Sequence, residues 1–203
     1  MRVRTSFAVA IVATIAVAAS AQTFPGGALT IPTSGVAAPY PSIINVAGLG
    51  APITQMTVAI NDVSHTFPDD FGILLQGPNG NTVVLEDGAW DGTPAVALNW
   101  VFDDAAGAPM PNTAPAVSGT FKPGQNQYND LFTAPAAASG SWLTSFAAAF
   151  GGSNGNGPWR LFVQDFVGGD GGSIGSWSIT FVPEPATLSL LAVAGLAALR
   201  RRR

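Results

Sequence analysis

The sequence predicts an all-β domain, an antiparallel β-sandwich of about eight strands, between residues 40 and 182. Apolar residues in this range occur in short alternating runs separated by Gly, Pro, Asn and Asp, a pattern typical of strands joined by turns. No long segment has helical periodicity. Five Trp and twelve Phe provide enough large side chains to fill a core between two sheets.

The first 21 residues have the layout of a signal peptide. Arg2 and Arg4 precede an eleven-residue apolar run, and Ala19 and Ala21 supply the small side chains that a signal peptidase reads. An apolar run of this length is too short for a permanent membrane span. We expect a signal helix that is removed after Ala21, so that Gln22 becomes the first residue of the exported protein.

The remaining chain divides into a leader and a folded part. Residues 22–39, rich in Gly, Pro, Ala and Thr, are predicted to form a flexible leader. In the second predicted strand Met56, Val58 and Ile60 share one face. Residues 77–81 are predicted to turn a hairpin, and residues 142–150 to form one or two helical turns. The predicted strands are 42–46, 53–60, 72–76, 82–85, 97–102, 119–121, 159–164 and 177–181.

Charge composition limits the possible partners. Residues 22–182 contain eleven acidic residues but only Lys122 and Arg160 as basic ones, a net charge of about −9. This balance repels nucleic acid and anionic lipids, which bind clustered Lys and Arg. A net negative charge of this size is compatible with binding cations, or with keeping the protein soluble outside the cell. The absence of Cys excludes disulfides and thiolate zinc sites.

The C-terminus combines a polar break, an apolar run and a basic block. Pro183, Glu184 and Pro185 are followed by fourteen uncharged residues and then by Arg200, Arg201, Arg202 and Arg203. Arginines are costly to carry through hydrocarbon, so such a run halts in a bilayer with its arginines on the cytoplasmic side. Fourteen helical residues rise only about 21 Å, which predicts a temporary anchor. The alternative is a core helix with a basic cap, but no buried helix needs four successive arginines.

These C-terminal residues resemble the PEP-CTERM sorting tail, which a membrane transpeptidase called exosortase recognises. The match covers Val182–Arg203, with the three parts in the family's order. The resemblance implies a protein that is exported, held briefly in the inner membrane by its C-terminal helix, and then moved to the cell surface or the extracellular space. Signal peptidase and exosortase are the processing partners that it implies.

Two blocks of the folded part resemble the P domain, or Homo B domain, of subtilisin-like proprotein convertases. The first, residues 58–85, contains His65-Thr66, Asp70-Phe71 and a Gly-Pro-Asn-Gly-Asn turn; the second, residues 156–181, contains Asn-Gly-Pro-Trp, Gly-Asp-Gly-Gly and a final strand with Trp177. The resemblance implies a jelly-roll-like sandwich. Gly77 stands where the family usually has Ser, and residues 90–139 exceed the family core, so the strand layout of residues 90–150 stays open.

The sequence contains no recognisable catalytic set, and we expect no enzymatic activity. The residues before Tyr40 are too few for the protease domain that accompanies this family. His65, the only histidine, is predicted to be structural and to hydrogen-bond a turn. Acid-base catalysis by a carboxylate pair would need Glu86 with Asp87, or Asp69 with Asp70, yet neighbouring strand residues point to opposite faces.

Calcium is a candidate cofactor. The acidic turns containing Asp69, Asp70, Asp165 and Asp170 supply the oxygen ligands that Ca²⁺ prefers, and the resemblance implies calcium in some members of the family. Against this, the sequence lacks an EF-hand loop and has at most one unrepeated glycine-rich piece. A solvated acidic turn is the alternative.

The sequence favours a non-enzymatic protein of the cell surface or extracellular matrix with a P-domain-like module. Two alternatives remain: an accessory domain of an exported subtilisin-like serine protease, and a glycan-binding module of the extracellular polysaccharide. Trp stacking on sugar faces would support the latter, but Trp159 and Trp177 lie on faces predicted to be core. Ligand and oligomeric state do not follow from the sequence.

Overall fold

The computed structural model describes residues 20–124, 127–136 and 142–183, and the structural statements below concern these ranges. Residues 1–19, with Ala19 of the cleavage site, and the sorting-tail residues Glu184, Pro185, Arg200, Arg201, Arg202 and Arg203 lie outside them. The two predicted terminal helices therefore stay predictions. Within the described ranges, no helix has the length and apolar character needed to cross a bilayer.

Strands are the main regular secondary structure of the described residues. The strands are β1 (Gln22–Gly26), β2 (Leu29–Ile31), β3 (Gly35–Val36), β4 (Ser42–Val46), β5 (Gln55–His65), β6 (Phe71–Gln76), β7 (Thr82–Asp87), β8 (Ala95–Asp103), β9 (Gly119–Phe121), β10 (Gly157–Asp165) and β11 (Gly172–Val182). A 3₁₀ turn spans Pro68–Asp70, and the short helix α1 spans Phe146–Phe150.

The strands form two sheets that pack face to face around a shared apolar core. One sheet has the order β1-β11-β5-β8-β9, with β2 also on β11; the other has the order β3-β10-β6-β7, with β4 also on β10. The named strand pairs are antiparallel except β8 with β9, which is parallel. The all-β sandwich predicted from the sequence is confirmed, and each of the eight predicted strands overlaps an observed one.

Residues 22–39 differ from the prediction of a flexible leader. They contain β1, β2 and β3, which pair with β11 and β10. The Gly- and Pro-rich composition of this segment indicated loops. Pairing at a sheet edge, however, needs only backbone N–H and C=O groups, and every residue except Pro has both. Leu29 and Ile31 are buried, and Phe24 packs against Phe181 with ring centroids 5.9 Å apart. The segment is therefore part of the sandwich.

A bulge in β5 keeps one face of this long strand in the core. Met56, Val58 and Ile60 are buried as the alternation predicted, and the register with β8 then shifts between Ile60 and Val63. Asp62 takes a positive φ of 57° at this point. Because the shift adds one residue, Val63 and His65 continue on the buried side.

Four tryptophans are buried in the main apolar cluster, and three of them have identified indole hydrogen bonds. Trp159 donates to the Gly155 carbonyl oxygen at 2.9 Å, Trp177 to Ser42 Oγ at 2.9 Å and Trp100 to the Val117 carbonyl oxygen at 3.1 Å. Each of these bonds gives the indole N–H a partner, so the large ring is buried without an unpaired polar group.

The outer face of β10 is also covered. Phe162 is fully buried with Leu74, Val84 and Phe132, and Tyr40 packs edge-on against Phe162 with centroids 5.1 Å apart. Strand alternation alone would leave the outer face of such a strand exposed. The coil at residues 130–136 covers it and forms a second, smaller apolar cluster.

Candidate functional site

One end of the sandwich gathers most of the acidic residues that the sequence analysis singled out. Residues 66–70, 88–94 and 166–171 connect β5 to β6, β7 to β8 and β10 to β11, and residues 127–132 lie against them. We call this region the loop end. These four segments contain no Lys or Arg and carry Asp69, Asp70, Asp91, Asp130 and Asp170.

Backbone hydrogen bonds join the segments of the loop end. The Phe166 amide donates to the Asp70 carbonyl oxygen at 2.8 Å, and the Gln127 amide to the Asp87 carbonyl oxygen at 2.9 Å. The Thr66 amide donates to the Gly171 carbonyl oxygen at 3.3 Å. Backbone hydrogen bonds thus hold the acidic turns next to one another.

A buried histidine-aspartate pair lies at the centre of the loop end. His65 Nε2 lies 3.2 Å from Asp165 Oδ2, and both side chains are fully buried. The other ring nitrogen, Nδ1, lies 2.9 Å from the Phe67 carbonyl oxygen and 3.2 Å from its amide nitrogen. The second oxygen of Asp165 accepts from the Val167 amide at 3.0 Å. His65 therefore bonds a turn, as its structural interpretation predicted.

The four predicted calcium ligands share one electrostatic environment. Burial is the main cause that raises the pKa of Asp70, and the charges of Asp165, Asp170 and Asp69 raise it further, in that order. Burial also raises the pKa of Asp165, which His65 opposes. Yet no group of three or more His, Cys, Asp or Glu side chains in the described ranges is arranged to hold a metal ion. Calcium binding by these four residues stays a prediction.

Asp69 has a partner on one oxygen only. The Tyr128 hydroxyl donates to Asp69 Oδ2 at 2.7 Å. The other oxygen, Oδ1, is buried and has no hydrogen-bond partner among the described residues.

Glu86 and Asp87 are buried acids that the sequence analysis considered only as a catalytic pair. Both are 0% exposed at the end of β7. Burial, then the Asp87 charge, raises the pKa of Glu86 well above its usual value. Burial is also the main cause that raises the pKa of Asp87 to about 6. One sequence feature could have indicated that these two acids are buried. The apolar strand Val-Val-Leu continues directly into them without a turn residue.

The histidine and the aspartate of the buried pair are both engaged with protein groups. Both nitrogens of the only histidine already contact protein groups, and the Asp165 oxygens are both occupied. Four of the five tryptophans are too buried to stack on a sugar, because Trp90, Trp100, Trp159 and Trp177 are at most 1% exposed, whereas Trp142 is partly exposed.

Comparison with known proteins gives one curated relative. The chain is 26% identical over 154 residues to the transglutaminase-activating metalloprotease of Streptomyces mobaraensis. The match covers 75% of this chain but only 14% of that protein, so the chain corresponds to a small part of the relative.

Two solved structures match weakly. The complex of Aeromonas sobria serine protease with its chaperone is 12% identical, with a TM-score of 0.38, and the match covers 80% of this chain and 27% of that one. The serine protease of Aeromonas sobria is 11% identical, with a TM-score of 0.37, over 82% of this chain and 28% of that one.

The C-terminus matches a family model. Residues 181–203 fit the model of the PEP-CTERM protein-sorting motif, which includes Pro183, Glu184, Pro185 and the four terminal arginines. This motif implies that the chain is an exported protein sorted by exosortase.

Proposed function

We propose that this chain is a non-enzymatic protein of the cell surface or extracellular matrix, whose P-domain-like jelly-roll sandwich serves as a binding and structural module. The sorting motif at residues 181–203 carries the proposal, because an exported chain with a removable anchor is delivered to the outside of the cell. The acidic composition of residues 22–182 fits that location.

The strand arrangement agrees with removal of both ends. Gln22, the residue after the predicted signal cleavage, pairs with Phe181 as the first residue of β1. Val182 ends β11, immediately before the Pro-Glu-Pro motif. Processing after Ala21 and within the sorting tail would therefore leave every strand of both sheets whole.

Mass spectrometry of the mature protein tests this proposal. In cells that have exosortase we expect an N-terminus at Gln22 and a C-terminus that lacks the four arginines. In matched cells without exosortase the arginines should remain. An intact C-terminus in both strains, or protein retained in the cytoplasm, would overturn the proposal.

The protease relative favours a second candidate, an accessory domain that binds an exported subtilisin-like serine protease. Its support is the 26% identity to a segment of a metalloprotease, spread over 75% of this chain, which favours a protease-associated domain. The subtilisin-like class of the partner comes from the resemblance to the P domain alone. Size-exclusion chromatography of the mature protein with a purified subtilisin-like protease from the same cells tests it. A stable complex and a longer half-life of the protease would support this candidate, and separate elution with unchanged half-life would reject it.

A further inference from the structure

The loop end carries exposed apolar side chains as well as acids. Of the eight large apolar side chains that are exposed in the described ranges, four lie on its segments: Phe67 (37% exposed), Tyr128 (49%), Leu131 (69%) and Val167 (52%). We call these four side chains the apolar loop surface. Exposed apolar side chains that gather on one side of a protein ordinarily mark a surface for a partner.

The two aromatic members of this surface are held by the same loops. The Tyr128 hydroxyl donates to Asp69 Oδ2 at 2.7 Å, two residues along the chain from Phe67. Both rings also rest on glycines of the β7–β8 loop. A Cβ at Gly88 would lie 2.3 Å from the Tyr128 ring, and a Cβ at Gly92 would lie 2.4 Å from the Phe67 ring. Each ring is therefore seated on backbone while part of it faces solvent.

The two aliphatic members lie beside a packed pair of rings. Leu131 precedes Phe132 and Val167 follows Phe166, and these two rings pack edge to face with centroids 5.1 Å apart. The Phe166 amide also donates to the Asp70 carbonyl oxygen at 2.8 Å. This bond ties the pair of rings to the turn between β5 and β6, so the aromatic and aliphatic members lie on neighbouring loops.

The buried histidine-aspartate pair fixes the backbone of two members of the surface. His65 Nδ1 lies 2.9 Å from the Phe67 carbonyl oxygen and 3.2 Å from its amide nitrogen. Asp165 Oδ1 accepts from the Val167 amide at 3.0 Å. A surface that is already ordered loses less conformational freedom when a partner binds, which favours affinity.

The charge around this surface limits what can bind there. The four segments of the loop end contain no Lys or Arg, and they carry Asp69, Asp70, Asp91, Asp130 and Asp170. The two basic residues of residues 22–182, Lys122 and Arg160, lie outside these segments. Such a surface repels a second copy of itself, anionic lipid and nucleic acid. It attracts Lys and Arg, which also stack favourably on the faces of Phe and Tyr rings.

We propose that Phe67, Tyr128, Leu131 and Val167 form a docking surface for a segment of another protein that carries Lys or Arg beside apolar side chains. The apolar contacts supply buried area, and the surrounding aspartates select a basic partner. The proposal rests on the binding role in the proposed function and deepens it by giving the module a class of partner. Peptide binding and the processing of the termini are measured separately, so the failure of one is distinguishable from the failure of the other.

Isothermal titration with synthetic peptides tests the surface, using the protein in the form that its own cells produce. The probe is a peptide that alternates Arg and Leu. One control peptide has Glu in place of every Arg, and a second has Ser in place of every Leu. We expect the Arg-Leu peptide to bind at least about tenfold more tightly than either control, because it offers both charge and apolar area. Added salt should weaken its binding by screening the aspartates.

Substitutions locate the binding on the protein. Leu131→Ser and Val167→Ser should each weaken binding of the Arg-Leu peptide about fivefold to tenfold, because each removes an apolar contact. Both side chains are more than half exposed, so the two variants should keep the melting temperature of the unmodified protein. Ile43→Ser is the matched control. Ile43 is also an exposed aliphatic residue, but it pairs with Arg160 toward the opposite end of β10 and should bind the peptide normally.

Asp91→Asn combined with Asp170→Asn tests the charge. This double variant should bind the Arg-Leu peptide more weakly and with a smaller dependence on salt. The proposal is overturned if the Arg-Leu peptide does not bind at about 1 mM, or if either control peptide binds equally well. It is also overturned if Ile43→Ser weakens binding as much as Leu131→Ser does. A dimer in solution that Leu131→Ser dissociates would assign the surface to a second copy and reject a basic partner.

Discussion

The two ends of the long strands β5 and β11 are buried in different ways. At one end Met56 pairs with Phe181, whose ring contacts Phe24 and Trp159 at centroid distances of 5.9 and 5.6 Å. At the other end, His65 pairs with Gly172 and contacts the buried carboxylate of Asp165. The first end is held by apolar packing and the second by paired polar groups.

This difference decides how each end responds to substitution. Apolar packing depends on volume, so a change costs free energy in proportion to the space created or lost. A buried charge depends on its partner, so removing one member leaves the other uncompensated. The effects of substitutions at the loop end should therefore be large and depend on pH, whereas the effects at the apolar end should depend on side-chain size alone.

The largest effect is expected for His65→Ala. This change removes the ring that contacts Asp165 Oδ2 and packs 4.8 Å from Phe71, leaving a buried carboxylate with one partner. We expect the free energy of unfolding to fall by about 3–5 kcal/mol. Urea denaturation at neutral pH measures it. Asn61→Ala, which removes a single 3.3 Å side-chain bond on the same strand, is the control and should cost about 1 kcal/mol. Equal effects of the two would contradict the comparison.

A smaller effect is expected for Gly26→Ala, because Gly26 pairs with Trp177 midway between the two ends, where burial is also by apolar packing. A Cβ at this position would lie 2.3 Å from the Trp177 indole nitrogen, so the ring or β1 must shift. Overpacking of this kind costs about 1–3 kcal/mol. A Cβ at the neighbouring Gly27 meets nothing within 4 Å, so Gly27→Ala should be close to neutral. Thermal melting of both variants checks this. If both were neutral, residues 22–26 would not be packed as β1, and the flexible leader would be restored.

Strand positions in this chain could be predicted because alternation and turns are local signals. Met56, Val58 and Ile60 lie on one face in the sequence and in the sandwich. The three strands of residues 22–36 were missed because Gly and Pro obscure alternation, and their pairing with β11 and β10 is set by long-range contacts. Propensity does not report a tertiary partner.

The candidate site was predicted only in part, for a related reason. Acidic turns identified Asp69, Asp70, Asp165 and Asp170, and the strand topology does bring their turns to one end. Which oxygens lack a partner depends on contacts across the chain, such as His65 with Asp165 over 100 residues. Glu86 was considered only as a catalytic partner of Asp87, because an apolar strand that continues into two acids is a weak local sign that both acids stay buried.

The smallest effect is expected for Tyr40→Phe, which tests a side chain that combines both kinds of burial. The Tyr40 ring packs on Phe162, and its hydroxyl donates to the Thr133 carbonyl oxygen at 2.7 Å. Losing this one bond should lower the free energy of unfolding by about 1 kcal/mol at neutral pH. Burial raises the pKa of Tyr40 from 10.0 to about 12, because it penalises the phenolate.

The sign of the pH dependence follows from that shift. The folded state holds the Tyr40 proton more tightly than the unfolded state, so this stabilising contribution is complete below pH 10 and is lost as the pH rises through about 12. Absorbance titration of the folded protein should show one phenol ionising near pH 12, and Tyr40→Phe should remove it while leaving Tyr128. A Tyr40 that ionises near pH 10 would show that the outer cluster on β10 is open to water, and that apolar burial on this face is weaker than between the sheets.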